Sequence, residues 1–285
     1  MILHAVHHTR YEYPFPAQDS HNELRLMPLT LAGQKCLEFS LEVTPHAPVF
    51  SYEDFGGTVH HFGIRERHMS LDIVANAIIE MTDINPIAGL NLINPDWDFY
   101  ALERTRQNFA EYLGGSPYVH IIRQAADLAS NLRSAGQSVA TFLIDLNRFL
   151  YRFLEYDPGV TNVHTTLEEV FELRAGVCQD YAHLMIACCR SQGIPTRYVS
   201  GYLYGGKGIR GEQGTHAWVE CLMPDGRWLA LDPTNNLLAN DHHIRMHVGR
   251  DFGEVSPTRG VYVGPMANLL HVGVSVVEVT PSVVS

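Results

Sequence analysis

The sequence pattern changes near residue 95, and this change limits the folds that the chain can adopt. Before it, short alternating runs of apolar and polar residues are separated by frequent proline and glycine, with turns predicted at Pro14 and Pro16. Such spacing is typical of a β-sandwich. After it, apolar residues recur at helical spacing. The 285 residues are therefore predicted to form an α+β protein, with a β-rich domain at 1–95 and a second domain at 96–285.

Three helices are predicted ahead of the segment that carries most of the chemistry. Residues 85–115 are interpreted as a linker, and Ser116-Pro117 marks the first helix start because proline suits the first helical turn. A broad apolar face at 139–154 predicts the second helix. Thr166 and Glu169 have the spacing of a capping box and predict a short third one.

Three short motifs, AGVCQDYAHL, GTHAWVEC and RWLALDPTN, contain Cys178, His216 and Asp232 in that order. A thiol is a strong nucleophile only as its thiolate, so it needs a nearby base, and the base needs a third group to orient it. Helical spacing begins after Gly176, which places Cys178 in the first turn of a mostly buried helix. Unpaired N–H groups and the helix dipole favour negative charge there.

His216 and Asp232 are predicted on neighbouring antiparallel strands. Pro224-Asp225-Gly226 reads as the hairpin turn between a strand at 215–223 and a strand at 228–232. Counting residues outward from the turn places the two side chains near the far ends of these strands. Their contact is therefore plausible, but the residue count alone does not establish it.

These motifs resemble the transglutaminase-like superfamily, in particular a bacterial branch described as candidate cysteine proteases. GVCQDYAHL resembles the family's cysteine motif, THAWVE its histidine motif and LDPTN its aspartate motif, while HHTRYEY and NELRLMP resemble the β-rich domain that precedes the core. The resemblance implies a papain-like α+β core packed on the β-sandwich. The tail GRDFGEVSPTRGVY resembles the extension that follows the aspartate motif, so a C-terminal β extension of the second domain is also implied. It also implies Cys178 as nucleophile, His216 as base and Asp232 as orienting residue.

The chemistry implied is acyl transfer through a thioester, with a peptide or protein as substrate. The backbone N–H of Cys178 is one candidate oxyanion donor, and the second is not identified by the sequence. Gln179, Tyr156 and Trp218 are weaker candidates for the oxyanion site or the pocket wall. Hydrolysis, transamidation and side-chain deamidation or deglycosylation use the same groups and stay open. A binding or assembly module that keeps the fold without turnover is the alternative from another class.

Composition excludes several other classes of function. The net charge of −11 argues against nucleic acid and anionic membrane surfaces, and no apolar run is long enough for a membrane helix. Five cysteines, two of them adjacent, fit a reducing cytoplasm better than a disulfide framework. His242, His243 and His247 lack a carboxylate or thiol at metal-ligand spacing, so neither metal nor cofactor is expected. The sequence does not indicate the oligomeric state.

Overall fold

A computed structural model describes residues 1–205, 209–211 and 214–279, and it has the expected α+β class. The first part of the chain forms β1 (Ile2–Leu24), β2 (Gln34–Thr44), β3 (Phe50–Glu53), β4 (Thr58–Ile64) and β5 (His68–Met81). The second part adds helices α1 (Asp98–Ala101), α2 (Glu103–Asn108), α3 (Arg123–Leu132), α4 (Val139–Phe153), α5 (Leu167–Leu173), α6 (Cys178–Ser191) and α7 (Phe252–Val255). Its strands are β6 (Glu155–Tyr156), β7 (Ala175–Gly176), β8 (Thr196–Leu203), β9 (His216–Leu222), β10 (Trp228–Asp232), β11 (Leu237–Leu238), β12 (His243–Gly249), β13 (Thr258–Val263) and β14 (Leu269–Glu278).

The predicted sandwich takes the form of one bent antiparallel sheet, a half-barrel organised by β1. The first half of β1 pairs with β5 and β14, and its second half pairs with β4 and β13. The turns predicted at Pro14 and Pro16 are wrong, because both prolines lie inside β1, where the register with β5 shifts between Glu12 and Ala17. Proline lacks a backbone N–H, so the hydrogen-bond ladder between β1 and β5 is interrupted here. Beyond this point β1 pairs with β4 and β13 instead.

The C-terminal β extension belongs to this first sheet by its strand pairing. Both β13 and β14 return to β1 and pair with it antiparallel. The first and last parts of the chain therefore share one sheet, although the sequence predicted the extension as an end of the second domain. The domain division at residue 95 itself stays a prediction.

The second part is built around α6, which is buried along most of its length. Apolar side chains of α6 pack against α3, α4 and α5 on one side and against a five-stranded sheet, ordered β11-β10-β9-β8-β12, on the other. The capping box of α5 is present, with Thr166 and Glu169 each satisfying the other's backbone N–H. None of the described helices has the length and apolar character needed to span a bilayer.

The first predicted helix begins later than expected. Ser116 and Val119 exchange backbone hydrogen bonds in a tight turn, so Pro117 lies in a chain reversal and α3 starts only at Arg123. Short helices α1 and α2 also occupy part of the segment interpreted as a linker. The prediction that Pro117 occupies the first helical turn is therefore wrong, because this proline lies in a turn ahead of the helix.

The two parts meet across a shared apolar layer with a few specific polar contacts. Leu3, Ala5 and Ile79 of the half-barrel pack against Tyr202 and Ile244 of the second sheet. Gln34 adds two hydrogen bonds to one residue of β12: its Nε2 donates to the Arg245 carbonyl at 2.7 Å, and its Oε1 accepts from the Arg245 N–H at 2.8 Å.

We predict that truncating the centre of α4 strongly destabilises the second part. Phe142 is fully buried, so Phe142→Ala removes apolar contacts and leaves a cavity, at a cost of about 3–5 kcal/mol in the free energy of unfolding. Phe15→Ala is the matched control, because this side chain is 70% exposed and its loss should cost less than about 0.5 kcal/mol. Urea denaturation followed by circular dichroism measures both, and equal losses would contradict the assignment of the core.

Candidate active site

Cys178 is the first helical residue of α6, and the turn before it is held by a buried carboxylate. The Oδ2 atom of Asp180 accepts hydrogen bonds from the Val177 N–H at 2.8 Å and from the Thr161 hydroxyl at 2.7 Å. Gly176 makes this possible, since a Cβ at this position would overlap the Asp180 carboxylate. The first i to i−4 bond of α6 runs from Tyr181 N–H, so the N–H groups of Cys178 and Gln179 precede the helical ladder.

His216 begins β9, and Asp232 ends the neighbouring strand β10. The register pairs Leu231 with Val219, so the two side chains are diagonal neighbours rather than direct partners. Both side chains are fully buried, and the His216 Nε2–H donates to Asp232 Oδ2 at 2.9 Å. The structure thus brings together the two residues whose contact the sequence left open.

Asp232 is also held by donors that follow it in the chain. Its Oδ1 accepts from the backbone N–H groups of Thr234 at 3.0 Å and Asn235 at 3.2 Å, and its Oδ2 accepts from the Asn235 side-chain amide at 2.8 Å. His243, on β12, adds a longer contact of 3.4 Å from its Nε2 to the same Oδ2. The carboxylate therefore has one fixed orientation toward His216.

The electrostatics of the pair follow from these contacts. Burial lowers the pKa of His216, but the charge and hydrogen bond of Asp232 and the nearby Cys178 side chain outweigh it and raise the pKa to about 10. Burial raises the pKa of Asp232, yet His216 and then His243 hold it well below its usual range. The site therefore favours an imidazolium beside a carboxylate at neutral pH.

The remaining ring nitrogen of His216 is the one available to the thiol. Within the described part of the chain, His216 Nδ1 is buried and has no hydrogen-bond partner. Cys178 is half-buried and close enough to His216 to influence its pKa. The three side chains thus lie side by side in one site, with His216 between Cys178 and Asp232.

The three weaker candidates differ in their position. Tyr156 is half-buried and lies near Cys178, and its pKa is raised by burial and by that thiol. Gln179 follows Cys178 in the first turn of α6 and is half-buried. Trp218 is almost fully buried, and its indole stacks on the His216 ring with centroids 6.1 Å apart. It therefore packs against the imidazole ring of His216.

The histidines considered for a metal site contact separate partners. His242 Nδ1 lies 2.8 Å from the Tyr204 carbonyl oxygen, and His247 Nε2 lies 2.9 Å from Asp54 Oδ1, while His243 faces Asp232. Across the residues that the structure covers, no group of three His, Cys, Asp or Glu side chains could hold a metal ion.

Two family models match the sequence, and the match in the second part of the chain includes Cys178, His216 and Asp232. Residues 126–233 match the transglutaminase-like superfamily, and residues 3–80 match the bacterial transglutaminase-like N-terminal region. An uncharacterized protein of Mycobacterium leprae is 32% identical over 98% of this chain and 98% of its own length. The chain belongs to the transglutaminase-like superfamily.

Other relatives of this transglutaminase-like protein cover less of it or share only its fold. A protein-glutamine gamma-glutamyltransferase of Pseudomonas aeruginosa is 35% identical over 39% of this chain and 18% of its own length. The crystal structure of a candidate cysteine protease from Cytophaga hutchinsonii superposes with a TM-score of 0.74 at 21% identity, covering 99% of this chain and 92% of that one. The second match supports the fold alone.

Sequence reasoning missed the contacts that reach the site of this transglutaminase-like chain from the segment after β8. The Arg210 N–H donates to Asn235 Oδ1 at 2.9 Å, and Asn235 Nδ2 donates back to the Arg210 carbonyl at 3.2 Å. Gly211, with a φ of +88°, follows, and a Cβ there would overlap His216 Nδ1. Asn235 could have been noticed as the last residue of the DPTN motif, whereas the roles of His243 and Gly211 depend on non-local packing.

We predict that a methyl group at residue 211 impairs the site specifically. Gly211→Ala should slow iodoacetamide labelling of Cys178 at pH 7 by at least about tenfold, because the new Cβ displaces the His216 ring. Gly226→Ala is the matched control: Gly226 has a φ of +86° and open space around it, so it suffers similar backbone strain of about 1–2 kcal/mol without touching the site. Mass spectrometry of the labelled Cys178 peptide measures the rates. Equal rates in the two variants would contradict this geometry.

Proposed function

We propose that the protein is a cysteine-dependent enzyme that cleaves an amide bond through a thioester on Cys178, with His216 as base and Asp232 as orienting residue. The observation that carries the proposal is the buried His216–Asp232 contact beside a thiol at a helix start. Burying such a pair costs solvation energy that a purely structural role does not require. Perturbed pKa values that cluster beside a nucleophile are typical of active sites.

The first step is the attack of sulfur on a carboxamide carbonyl carbon. In the resting site the proton of the Cys178 thiol is already on His216 Nδ1, and the Asp232 carboxylate stabilises this imidazolium beside the thiolate. The sulfur forms a bond to the carbonyl carbon, and the carbonyl π electrons move onto its oxygen. The position of Cys178 at the start of α6 favours the thiolate through the helix dipole.

The oxyanion that forms needs two aligned donors. The backbone N–H of Cys178 precedes the helical ladder and is the first donor that we assign. Tyr156 is the second, because its half-buried side chain lies near Cys178 and its phenol O–H can donate a hydrogen bond. Among the three weaker candidates, Tyr156 thus has the strongest support for direct contact with the substrate.

The collapse of the tetrahedral intermediate breaks the carbon–nitrogen bond. The His216 imidazolium donates its Nδ1 proton to the leaving nitrogen, which departs as an amine or as ammonia. A thioester on Cys178 remains. Water then releases a carboxylic acid, or a second amine forms a new amide, and each outcome restores the free thiol.

We further propose that the carboxamide of a glutamine side chain is one acyl donor. The support is the Pseudomonas aeruginosa relative, whose name describes glutamine γ-glutamyl transfer and whose match covers 39% of this chain. A peptide bond is the second candidate donor, since the chemistry at sulfur is the same for both.

We predict that Cys178 is acylated by a glutamine-containing peptide and that Cys178→Ala abolishes turnover without loss of folding. The protein is incubated with such peptides, with and without a fluorescent primary amine. Intact-mass spectrometry then detects the thioester, and assays for ammonia, amine conjugates and new N-termini distinguish deamidation, transamidation and peptide cleavage.

The matched control is Cys36→Ala, which removes another half-buried cysteine, located in β2 of the half-barrel. It should keep full activity. The absence of any acyl adduct and any product across glutamine peptides and unrelated peptides would support a non-catalytic binding module instead. Turnover that persists in Cys178→Ala would refute the role of this thiol.

We also propose that the protein works in a reducing compartment such as the cytoplasm. All five cysteines are free thiols. A free nucleophilic thiol also functions best where disulfides do not persist.

A further inference from the structure

Strand β14 leaves one edge of the half-barrel open. It pairs with β1 on one side, and within the described residues no strand pairs with its other side. Its apolar side chains are unusually exposed, with Leu269 at 63%, Leu270 at 51%, Val272 at 45% and Val277 at 47%. An edge of this kind is a template for pairing with another chain.

The usual protections of an edge strand are missing from β14. Residues 269–277 contain no lysine, arginine, aspartate, glutamate or proline, and Glu278 is the only charged residue of the strand. Natural edge strands normally carry such residues to prevent association. Each chain has a net charge of −11, and residues 269–277 carry none of it, so two copies that meet along this strand bring no like charges into direct contact.

The hydrogen-bond pattern with β1 determines which backbone groups of β14 remain free. Val279 N–H donates to the Ile2 carbonyl at 2.9 Å, which makes this a hydrogen-bonded pair of the antiparallel ladder. Such pairs alternate along the strands. Odd-numbered residues of β14 therefore direct their N–H and C=O groups toward β1, and the even-numbered residues 270–278 direct theirs outward.

We propose that β14 pairs antiparallel with β14 of a second copy of this chain, around a two-fold axis at Gly273. This register places Leu269 opposite Val277, Leu270 opposite Val276, Val272 opposite Val274, and His271 opposite Ser275. Each apolar residue meets an apolar residue, and the outward groups of residues 270, 272, 274 and 276 face each other. A self-complementary strand is what a two-fold, isologous interface requires.

Gly273 is explained by this arrangement and not by the single chain. A Cβ at Gly273 would meet nothing within 4 Å, and its φ is not among the positive values that favour glycine. Glycine weakens a strand interior and often marks the close approach of another backbone. On the axis it would form a non-hydrogen-bonded pair with its own copy, where the Cα atoms approach to about 4.5 Å.

The expected dimer is stable enough to detect but dissociates on dilution. The pairing adds roughly eight backbone hydrogen bonds. A ten-residue strand is about 33 Å long. A single seam of this length is at the small end of specific interfaces, so we expect dissociation in the range of about 1–100 μM.

Sedimentation velocity across this concentration range tests the association. The full chain should shift from monomer to dimer, and Val272→Lys should remain monomeric because two added charges lie on the seam. Val261→Lys is the matched control, since Val261 is an exposed valine on β13, outside the proposed seam, and it should dimerise like the parent. A chain that stays monomeric at all concentrations, or a Val272→Lys variant that dimerises normally, would overturn the proposal.

Oxidative cross-linking tests the register. In a background with Cys36→Ser and Cys178→Ser, Gly273→Cys should form an intermolecular disulfide, because the two Cα atoms lie within disulfide range on the axis. Ser275→Cys should not, since its own copy lies about 14 Å away along the seam. Equal cross-linking of the two variants, or none in Gly273→Cys, would show that the strand does not pair in this way.

Discussion

The contact between His216 and Asp232 is the interaction on which the proposed chemistry depends. It joins the start of one strand to the end of the next in a fully buried position. The low dielectric constant there strengthens the attraction between the carboxylate and the imidazolium. It also contributes to folding. The pKa of His216 is raised to about 10 in the folded chain, above its unfolded value, so this stabilisation is complete below about pH 6.5 and is lost as the pH rises toward 10.

The rest of the fold fixes the three groups relative to one another. The packed helix α6 holds Cys178 at its half-buried start, and Asp180 fixes the turn before it. Asn235 and His243 hold Asp232, while the pairing of β9 with β10 carries His216 to it. The half-barrel packs against β8 and β12 of this sheet. The last strand, β14, returns to the half-barrel and pairs with β1.

Local motifs made it possible to predict where the three candidate residues lie, whereas the long-range strand pairing could not be predicted from the sequence. Cys178, His216 and Asp232 each lie in a short segment whose own pattern indicates a helix start or a strand, so their positions in the fold could be predicted. The continuity of β1 through Pro14 could not be predicted in this way, because it depends on the pairing of β4 and β5 with opposite ends of one strand. The contact of His243 with Asp232 and the role of Gly211 were missed for the same reason, since only the folded chain brings these residues to the site.

The central claim is that Asp232 keeps His216 protonated at neutral pH, and nitrogen-15 NMR of the imidazole rings measures this directly. The His216 signal is assigned by its loss in His216→Gln, and its titration is followed in the parent chain and in Asp232→Asn. We expect an imidazolium at pH 7 that titrates near pH 10, and a neutral ring at pH 7 once the carboxylate is removed, because burial alone lowers the pKa. A neutral His216 at pH 7 in the parent chain, or an unchanged titration in Asp232→Asn, would contradict the account.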